Sequence, residues 1–262
     1  MPPVEKENLR YHGGTMTTLA LYNSKGGVGK TTSAVNLVYL AAGDNKKVLL
    51  WDLDPQASAT FFYRVPPRLK GGVKKVVTGK KNLEKYAKST RYDNIRLIPA
   101  DFSTRKLDII FNAMKKPKKR VKKLVGGIGD QFDLVFLDSP PGFSLLSENI
   151  IRGVDFILLP MIPTTLSLRT YLQIVEYFED RGFDQKKIIP FFSLVDRRKK
   201  IHRELVEAYS VKENLFLKSY IPYSSDVEKM GKQCAPLNEY SQKSQAADAY
   251  RRLWQEIKSR IY

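Results

Sequence analysis

Asn23-Ser24-Lys25-Gly26-Gly27-Val28-Gly29-Lys30-Thr31-Thr32 is the stretch whose reading decides the fold. Residues 19–22 before it form a short apolar run suited to a buried strand. Residues 31–42 after it place Val35, Leu37, Val38, Leu40 and Ala41 where a helix would turn them onto a sheet. Glycines between such a strand and helix let successive backbone N–H groups turn inward around a polyphosphate, and the helix start adds its dipole. The pattern is G-x-x-x-x-G-K-[ST] with Ser24 in place of the first glycine, which makes it the K-G-G-x-G-K-[ST] variant, the deviant Walker A form. Lys30 is expected to reach the β- and γ-phosphates, the Thr31 hydroxyl to ligate Mg2+, and Thr32 to help hold the α-phosphate. A chance glycine-rich turn is the competing reading, and the flanking strand and helix argue against it.

Two acidic segments complete the expected site. VLLWDLD (48–54) ends a strand with Asp52 and Asp54, and LVFLD (134–138) ends another with Asp138. An acid at the C-terminal end of a strand beside a phosphate loop can hold Mg2+ through water. A lone strand-end aspartate is more often a turn or cap residue, but the spacing relative to the glycine loop reverses that expectation.

Further along the chain, strands are predicted over 95–99, 156–160 and 188–195, and helices over 103–123 with a break near Pro117, 167–180, 203–209 and 245–261. Residues 217–221 read as extended and 139–144, SPPGFS, as a loop. Strands alternating with helices predict an α/β fold: a mostly parallel twisted sheet with helices on both faces, of the P-loop NTPase kind. Residues 16–262 are expected to form a single domain, preceded by a polar tail over 1–15.

Composition limits the functions available. The chain has 262 residues, 42% of them hydrophobic, and no apolar run reaches the roughly 18 residues of a membrane-spanning helix. The N-terminus lacks the apolar core of a secretory signal. Cys234 is the only cysteine, so an intrachain disulfide and a four-thiolate cluster are excluded, and a reducing, cytoplasmic setting is expected. His12 and His202 are isolated in sequence and suggest neither a metal site nor a histidine base. The formal net charge is +18, and it is concentrated. Residues 64–123 hold 20 Lys/Arg against four acids (Glu84, Asp93, Asp101 and Asp108), a net of +16. Such a field attracts polyanions, nucleic acid before anionic lipid, although a solvated basic surface without a partner has the same composition.

NSKGGVGKTT, WDLDPQASAT, FLDSPPG and SYIPYSSDVEKMG together resemble the ParA family of partition and positioning ATPases, over residues from about 16 to about 261. The DPQ triplet is characteristic of ParA members more than of their MinD relatives. The resemblance implies ATP/ADP and Mg2+ as cofactors and a homodimer in the ATP state. It implies that Lys25 reaches across the dimer to the other subunit's phosphates, that Asp54 orients the attacking water, and that Asp52 and Asp138 support Mg2+. Ser139–Gly142 would sense the γ-phosphate, and Leu194–Arg198, with Asp196 and Arg197, would lie around the adenine together with Ile221 and Pro222. Non-specific double-stranded DNA and a ParB-like activator with a basic N-terminus would be the partners, and the setting would be nucleoid-associated. A MinD-like regulatory ATPase at the membrane surface is the alternative, and the DPQ triplet and positive charge favour the ParA reading.

The sequence departs from that family at Tyr223 and Asp226, where basic residues that contribute to DNA binding are usual. The run Arg197, Arg198, Lys199, Lys200 and Arg203 is expected to take over direct phosphate contacts. Lys115, Lys116, Lys118, Lys119, Arg120, Lys122 and Lys123 would supply long-range attraction. Leu253, Trp254, Ile257 and Ile261 form an apolar stripe that fits a helix docked on the core better than one lying on a membrane. Phe61, Phe62 and Tyr63 are expected mainly to pack, and Cys234 to be a small packing residue.

Overall fold

The computed structural model describes residues 16–79, 82–115, 117–128, 131–210 and 215–262. The expected tail over 1–15, with His12, and Lys80, Lys81 and Lys116 of the basic segment lie outside the described residues. In chain order the elements are β1 (Thr17–Leu21), α1 (Lys30–Gly43), β2 (Val48–Asp52), α2 (Ser58–Phe62), α3 (Gly72–Thr78), β3 (Lys88–Ser89), β4 (Ile95–Ile98) and α4 (Leu107–Asn112). They continue with α5 (Arg120–Gly126), β5 (Leu134–Asp138), α6 (Leu145–Gly153), β6 (Phe156–Met161), α7 (Thr165–Asp180) and β7 (Ile188–Phe192). The chain closes with α8 (Lys200–Ser210), α9 (Ser225–Glu228), α10 (Met230–Gln233), α11 (Leu237–Tyr240) and α12 (Gln245–Ile261).

Among the described residues the strands form one sheet in the order β3-β4-β2-β5-β1-β6-β7, parallel throughout except for the two-residue edge strand β3. Side chains alternate across it as the strand period requires. Leu19, Leu21, Leu50, Phe136, Leu158 and Phe191 point to the layer that holds α1 and α12, whereas Ala20, Leu49, Trp51, Val135, Leu137 and Leu159 point to the layer that holds α3 to α7. Both faces are therefore covered, which explains why the strands read as continuous apolar runs.

In α1, Val35, Leu37, Val38 and Ala41 are buried as expected, and Leu40 packs at the margin. The apolar stripe of α12 is buried too: Leu253, Trp254, Ile257 and Ile261 are 0–2% exposed. Each such side chain gains roughly 1.5–3 kcal/mol on burial, so peeling off four would cost on the order of 6–12 kcal/mol, which makes α12 a core helix. Of the aromatic trio, Tyr63 is buried and donates to the Val35 carbonyl at 2.9 Å, Phe62 is half-buried, and Phe61 is exposed.

The structure corrects several sequence expectations. The helix predicted over 103–123 is a tight turn over Phe102–Lys106 capped by Asp101, followed by the two short helices α4 and α5. The strand predicted over 188–195 stops at Phe192, because Leu194 takes a left-handed conformation (φ 53°) and Val195 turns to pair with Pro222. Residues 217–221 form no regular strand but run beside β7, with the Leu217 N–H donating to the Pro190 carbonyl and the Ile221 N–H to that of Phe192. Helix α6 arises where no helix was predicted. The helix predicted over 203–209 begins earlier, at Lys200.

Candidate functional site: a phosphate loop at the C-terminal edge of the sheet

Strand register assembles the site. Leu21 of β1 and Asp52 of β2 both stand opposite Asp138 of β5, so three strand ends meet at one edge. The loop 23–29 leaves β1 at this point. Its course needs left-handed backbone at Gly27 (φ 70°) and Gly29 (φ 87°), where a side chain would be strained. A Cβ added at Gly26 or Gly27 would meet nothing within 4 Å, so the loop encloses open space rather than packed protein.

Neighbouring elements hold the loop. Asn23 donates from Nδ2 to the Pro160 carbonyl at 2.8 Å and accepts from the Lys25 N–H at 2.9 Å. Ser193 Oγ, at the end of β7, donates to the Val28 carbonyl. The Gly142 N–H donates to the Ser24 carbonyl at 2.9 Å, joining SPPG to the loop. Neither Ser193 nor Asn23 was singled out in the sequence. Asn23 at least begins the motif, whereas Ser193 carries no local signal.

Lys30 is buried, and its Nζ donates to the Lys25 carbonyl at 2.8 Å, folded over the loop it is meant to serve. Burial lowers its pKa, opposed by the nearby charges of Asp138 and Asp54. Lys25 is half-exposed and makes no ion pair among the described residues. Thr31 and Thr32 open α1 and are half-exposed.

The carboxylates differ in their partners. Asp52 is buried, and Oδ2 accepts from the Thr60 N–H at 2.9 Å and the Thr60 hydroxyl at 2.7 Å. Burial pushes its pKa up to about 6, against the pull of those hydrogen bonds. Asp54 is half-exposed and accepts from the Gln56 N–H at 2.9 Å. Asp138 is fully buried with neither oxygen hydrogen-bonded; the Thr31 hydroxyl is close enough to influence its charge but lacks bonding geometry. Burial and the neighbouring Asp52 push its carboxyl well above the usual range. An orphaned buried carboxylate is costly unless something completes it. A hard divalent cation beside the Thr31 hydroxyl fits the oxygen-only donor set. Among the described residues there is no cluster of three or more His, Cys, Asp or Glu that could hold a metal by itself.

The expected adenine residues also meet. Val195 pairs with Pro222, bringing Asp196 and Arg197 beside the 221–223 segment. Asp196 is engaged by Arg198 through two bonds of 2.9 Å, which hold its carboxyl down at about 2. His202 is buried and its Nδ1 accepts from the Asp196 N–H at 3.0 Å, so this histidine fixes a turn. In the run expected to meet DNA, Arg197, Arg198, Lys199, Lys200 and Arg203 are all exposed. Arg198 is paired with Asp196, Lys200 stands 3.6 Å from Glu204, and Arg203 donates to the Arg197 carbonyl at 2.7 Å. Tyr223 bonds Glu228 at 2.6 Å and Asp226 pairs with Lys229 at 3.0 Å, so the segment that departs from the family neutralises itself. No helix among the described residues is long and apolar enough to cross a membrane.

A phosphate loop on a parallel sheet with acids at adjoining strand ends defines the P-loop class, and comparison with known proteins narrows it. The AAA domain model matches residues 16–187. The chromosome-partitioning ATPase Soj of Treponema pallidum is 27% identical over 250 residues, covering 93% of this chain and 97% of that protein. An uncharacterized protein of Pseudomonas putida is 32% identical over 143 residues, a match that spans about half of each chain (54%). Among solved structures, a putative plasmid partition protein from Borrelia burgdorferi B31 bound to AMPPNP aligns at a TM-score of 0.82 with 19% identity, covering 94% of this chain and 100% of that one. A single-residue variant of Cyanothece McdA in complex with ATP aligns at 0.78 with 25% identity, covering 94% and 97%. The chain belongs to the AAA domain family and, within it, to the ParA/MinD-type partition ATPases.

Proposed function

We propose that this chain hydrolyses ATP with Mg2+ and uses the nucleotide as a dimerisation switch that binds non-specific duplex DNA in the ATP state. A ParB-like activator with a basic N-terminus would trigger turnover, and the cycle would position or segregate a cargo. The observation that carries the reading is Asp138, a buried carboxylate without a partner at the point where Lys30, Thr31 and Asp52 converge.

In this reading each residue has a task. The N–H groups of Gly26, Gly27, Val28 and Gly29 would line the cradle, and Lys30, which now donates to the Lys25 carbonyl, would turn to phosphate oxygens. Thr31, Asp138 and Asp52 would hold the cation, and Thr32 would brace the α-phosphate. Bound Mg2+ would neutralise charge on the transferring phosphoryl group. Asp54, half-exposed at the rim, would orient the attacking water. Lys25, without an acid of its own among the described residues, is free to reach the γ-phosphate of a second subunit. Assembly then depends on that phosphate. Asp196, Arg197 and Pro222 flank the base, and the run from Arg197 to Arg203 faces DNA.

The test is Asp54→Ala. Nucleotide affinity should remain within a few-fold of wild type while turnover falls by about 100-fold or more, the range of a lost acid–base group. Unchanged turnover would remove Asp54 from the water-activating role.

A further inference from the structure

The positive charge of this chain is unevenly balanced. On residues 196–252 five basic side chains face an acid: Arg198 pairs with Asp196, Lys200 with Glu204, Lys229 with Asp226, and Arg251 and Arg252 with Asp248. The opposite edge of the sheet differs. There a cleft of about 390 Å³ opens between α5, the end of α6 and the turn that leads into β7, with Lys119, Lys122, Arg152, Phe183, Asp184 and Lys187 in its walls. Lys119 and Lys122 are exposed and make no ion pair among the described residues. Lys187 Nζ is held at the wall by the Val154 carbonyl at 3.0 Å. The guanidinium of Arg152 lies over the Phe183 ring at 4.5 Å. Asp184 is the acid in these walls, and its Oδ1 accepts from the Lys186 N–H at 2.9 Å.

The cleft is built into the packing. A Cβ at Gly153 would stand 2.8 Å from Val121 Cγ1 and 2.9 Å from the Lys122 nitrogen, so glycine is what lets α5 lie against the end of α6. Fully buried Asn149 accepts from the Arg120 N–H at 2.9 Å and fastens the start of α5. Glu148, nearby on α6, is already matched by Lys118, Arg152 and Arg181 at 3.0–3.4 Å, so it does not offset the lysines facing the opening.

The cleft also connects to the nucleotide site. Helix α6 is capped by Ser144, two residues after the Gly142 that bonds the phosphate loop, and ends at Gly153 in the cleft. Its nine residues make a rod of about 13 Å. Beside it, Tyr22, Phe143, Tyr177 and Phe183 are in successive ring contact at 6.1–6.4 Å between centroids.

We propose that this cleft seats the phosphodiester backbone of duplex DNA, adding a contact surface on the edge opposite the nucleotide site. The inference rests on the DNA-binding reading above. A concave site with free ammonium groups suits regularly spaced phosphates. A membrane surface fits poorly: Phe61, Phe102, Ile109, Leu166 and Leu172, which could insert into lipid, are exposed elsewhere, and none lines the cleft.

The experiment is a salt titration of fluorescently labelled duplex binding with ATP and Mg2+. It compares wild type, K119A/K122A, and K74A/K75A, which removes equal charge from α3. Each phosphate contact contributes about 0.9 to the log–log salt slope, so K119A/K122A should flatten it by up to about 1.8 and K74A/K75A should leave it near wild type. Basal ATP turnover, expected to be unchanged in both variants, controls for folding. A slope unaltered in K119A/K122A, or flattened equally in both variants, overturns the cleft and leaves the DNA reading intact. A wild type that binds no duplex overturns both. Binding of wild type to phosphatidylserine vesicles in place of duplex, lost in K119A/K122A, overturns the proposal in favour of a lipid surface.

Discussion

Asp138 and Glu148 are buried carboxylates ten residues apart, and the chain treats them in opposite ways. Asp138, at the nucleotide edge, has no hydrogen bond, and burial together with Asp52 drives its pKa up. Glu148, midway along α6, is also penalised by burial, but Arg152 and Lys118 outweigh that penalty and bring its pKa down. A carboxylate that completes the fold is given its cations by the fold. One left bare at a strand end suits the cation that the proposed function would bring with its nucleotide. The contrast sets the C-terminal edge of the sheet apart from the helix layer that covers it.

The largest effect expected from breaking this contrast is at Asp138. In wild type, saturating Mg2+ added to ATP at about 100 times its Kd should raise unfolding stability by about 2.7 kcal/mol. Asp138→Asn should lose most of the Mg2+-dependent part of that gain, read as a thermal shift with and without the metal. An undiminished magnesium shift would place the cation elsewhere.

Glu148→Gln should cost no more than about 1–3 kcal/mol, because Lys118, Arg152 and Arg181 are 29–49% exposed at the side chain and can turn to water. Denaturant unfolding reads this directly. ATP turnover in the folded protein should be unchanged, and a catalytic defect without a stability loss would reverse the roles assigned to the two carboxylates.

The pH dependence sharpens the comparison further. Asp52 titrates near 6 in the fold and in the usual carboxylate range when unfolded. Between about pH 4 and pH 6 the folded chain therefore holds a proton that the unfolded chain has released, so this group lowers stability as pH rises through that window. Asp138 beside it, raised by burial and by Asp52, acts in the same direction. Glu148 acts with the opposite sign, contributing stability that is lost as pH falls through its lowered pKa. Thermal unfolding without Mg2+ should show a less negative slope with rising pH in Asp52→Asn than in wild type. Parallel profiles would mean that the pair is not held in the protonated state.

What the sequence made legible follows the same division. That Lys30, Thr31, Asp52 and Asp138 fall at one edge of the sheet was legible because each sits at the end or start of a strong apolar run, and parallel register brings those ends together. The burial of the α12 stripe was readable from helical spacing alone. Helix α6 was not: Pro140, Pro141 and Gly142 precede it, and its cap is Ser144 with Ser147, a box without the usual glutamate. Glu148 was equally hidden, since its cations come from 30 residues before and 33 after, as well as from the next turn of its own helix. Long-range closure of this kind also accounts for Ser193 on the Val28 carbonyl and His202 on the Asp196 N–H. Local pattern reports what a segment can do alone, and these contacts exist only once the sheet has formed.

In the proposed switch the nucleotide edge is completed from outside the chain, by a cation, a phosphate and a second subunit. Light scattering of wild type and Lys25→Ala with Mg2+ and either ADP or a non-hydrolysable ATP analogue tests this most directly. Wild type should be monomeric with ADP and dimeric with the analogue, and Lys25→Ala monomeric with both while still binding nucleotide. A dimer of equal strength with either nucleotide, unaffected by Lys25→Ala, would contradict the switch.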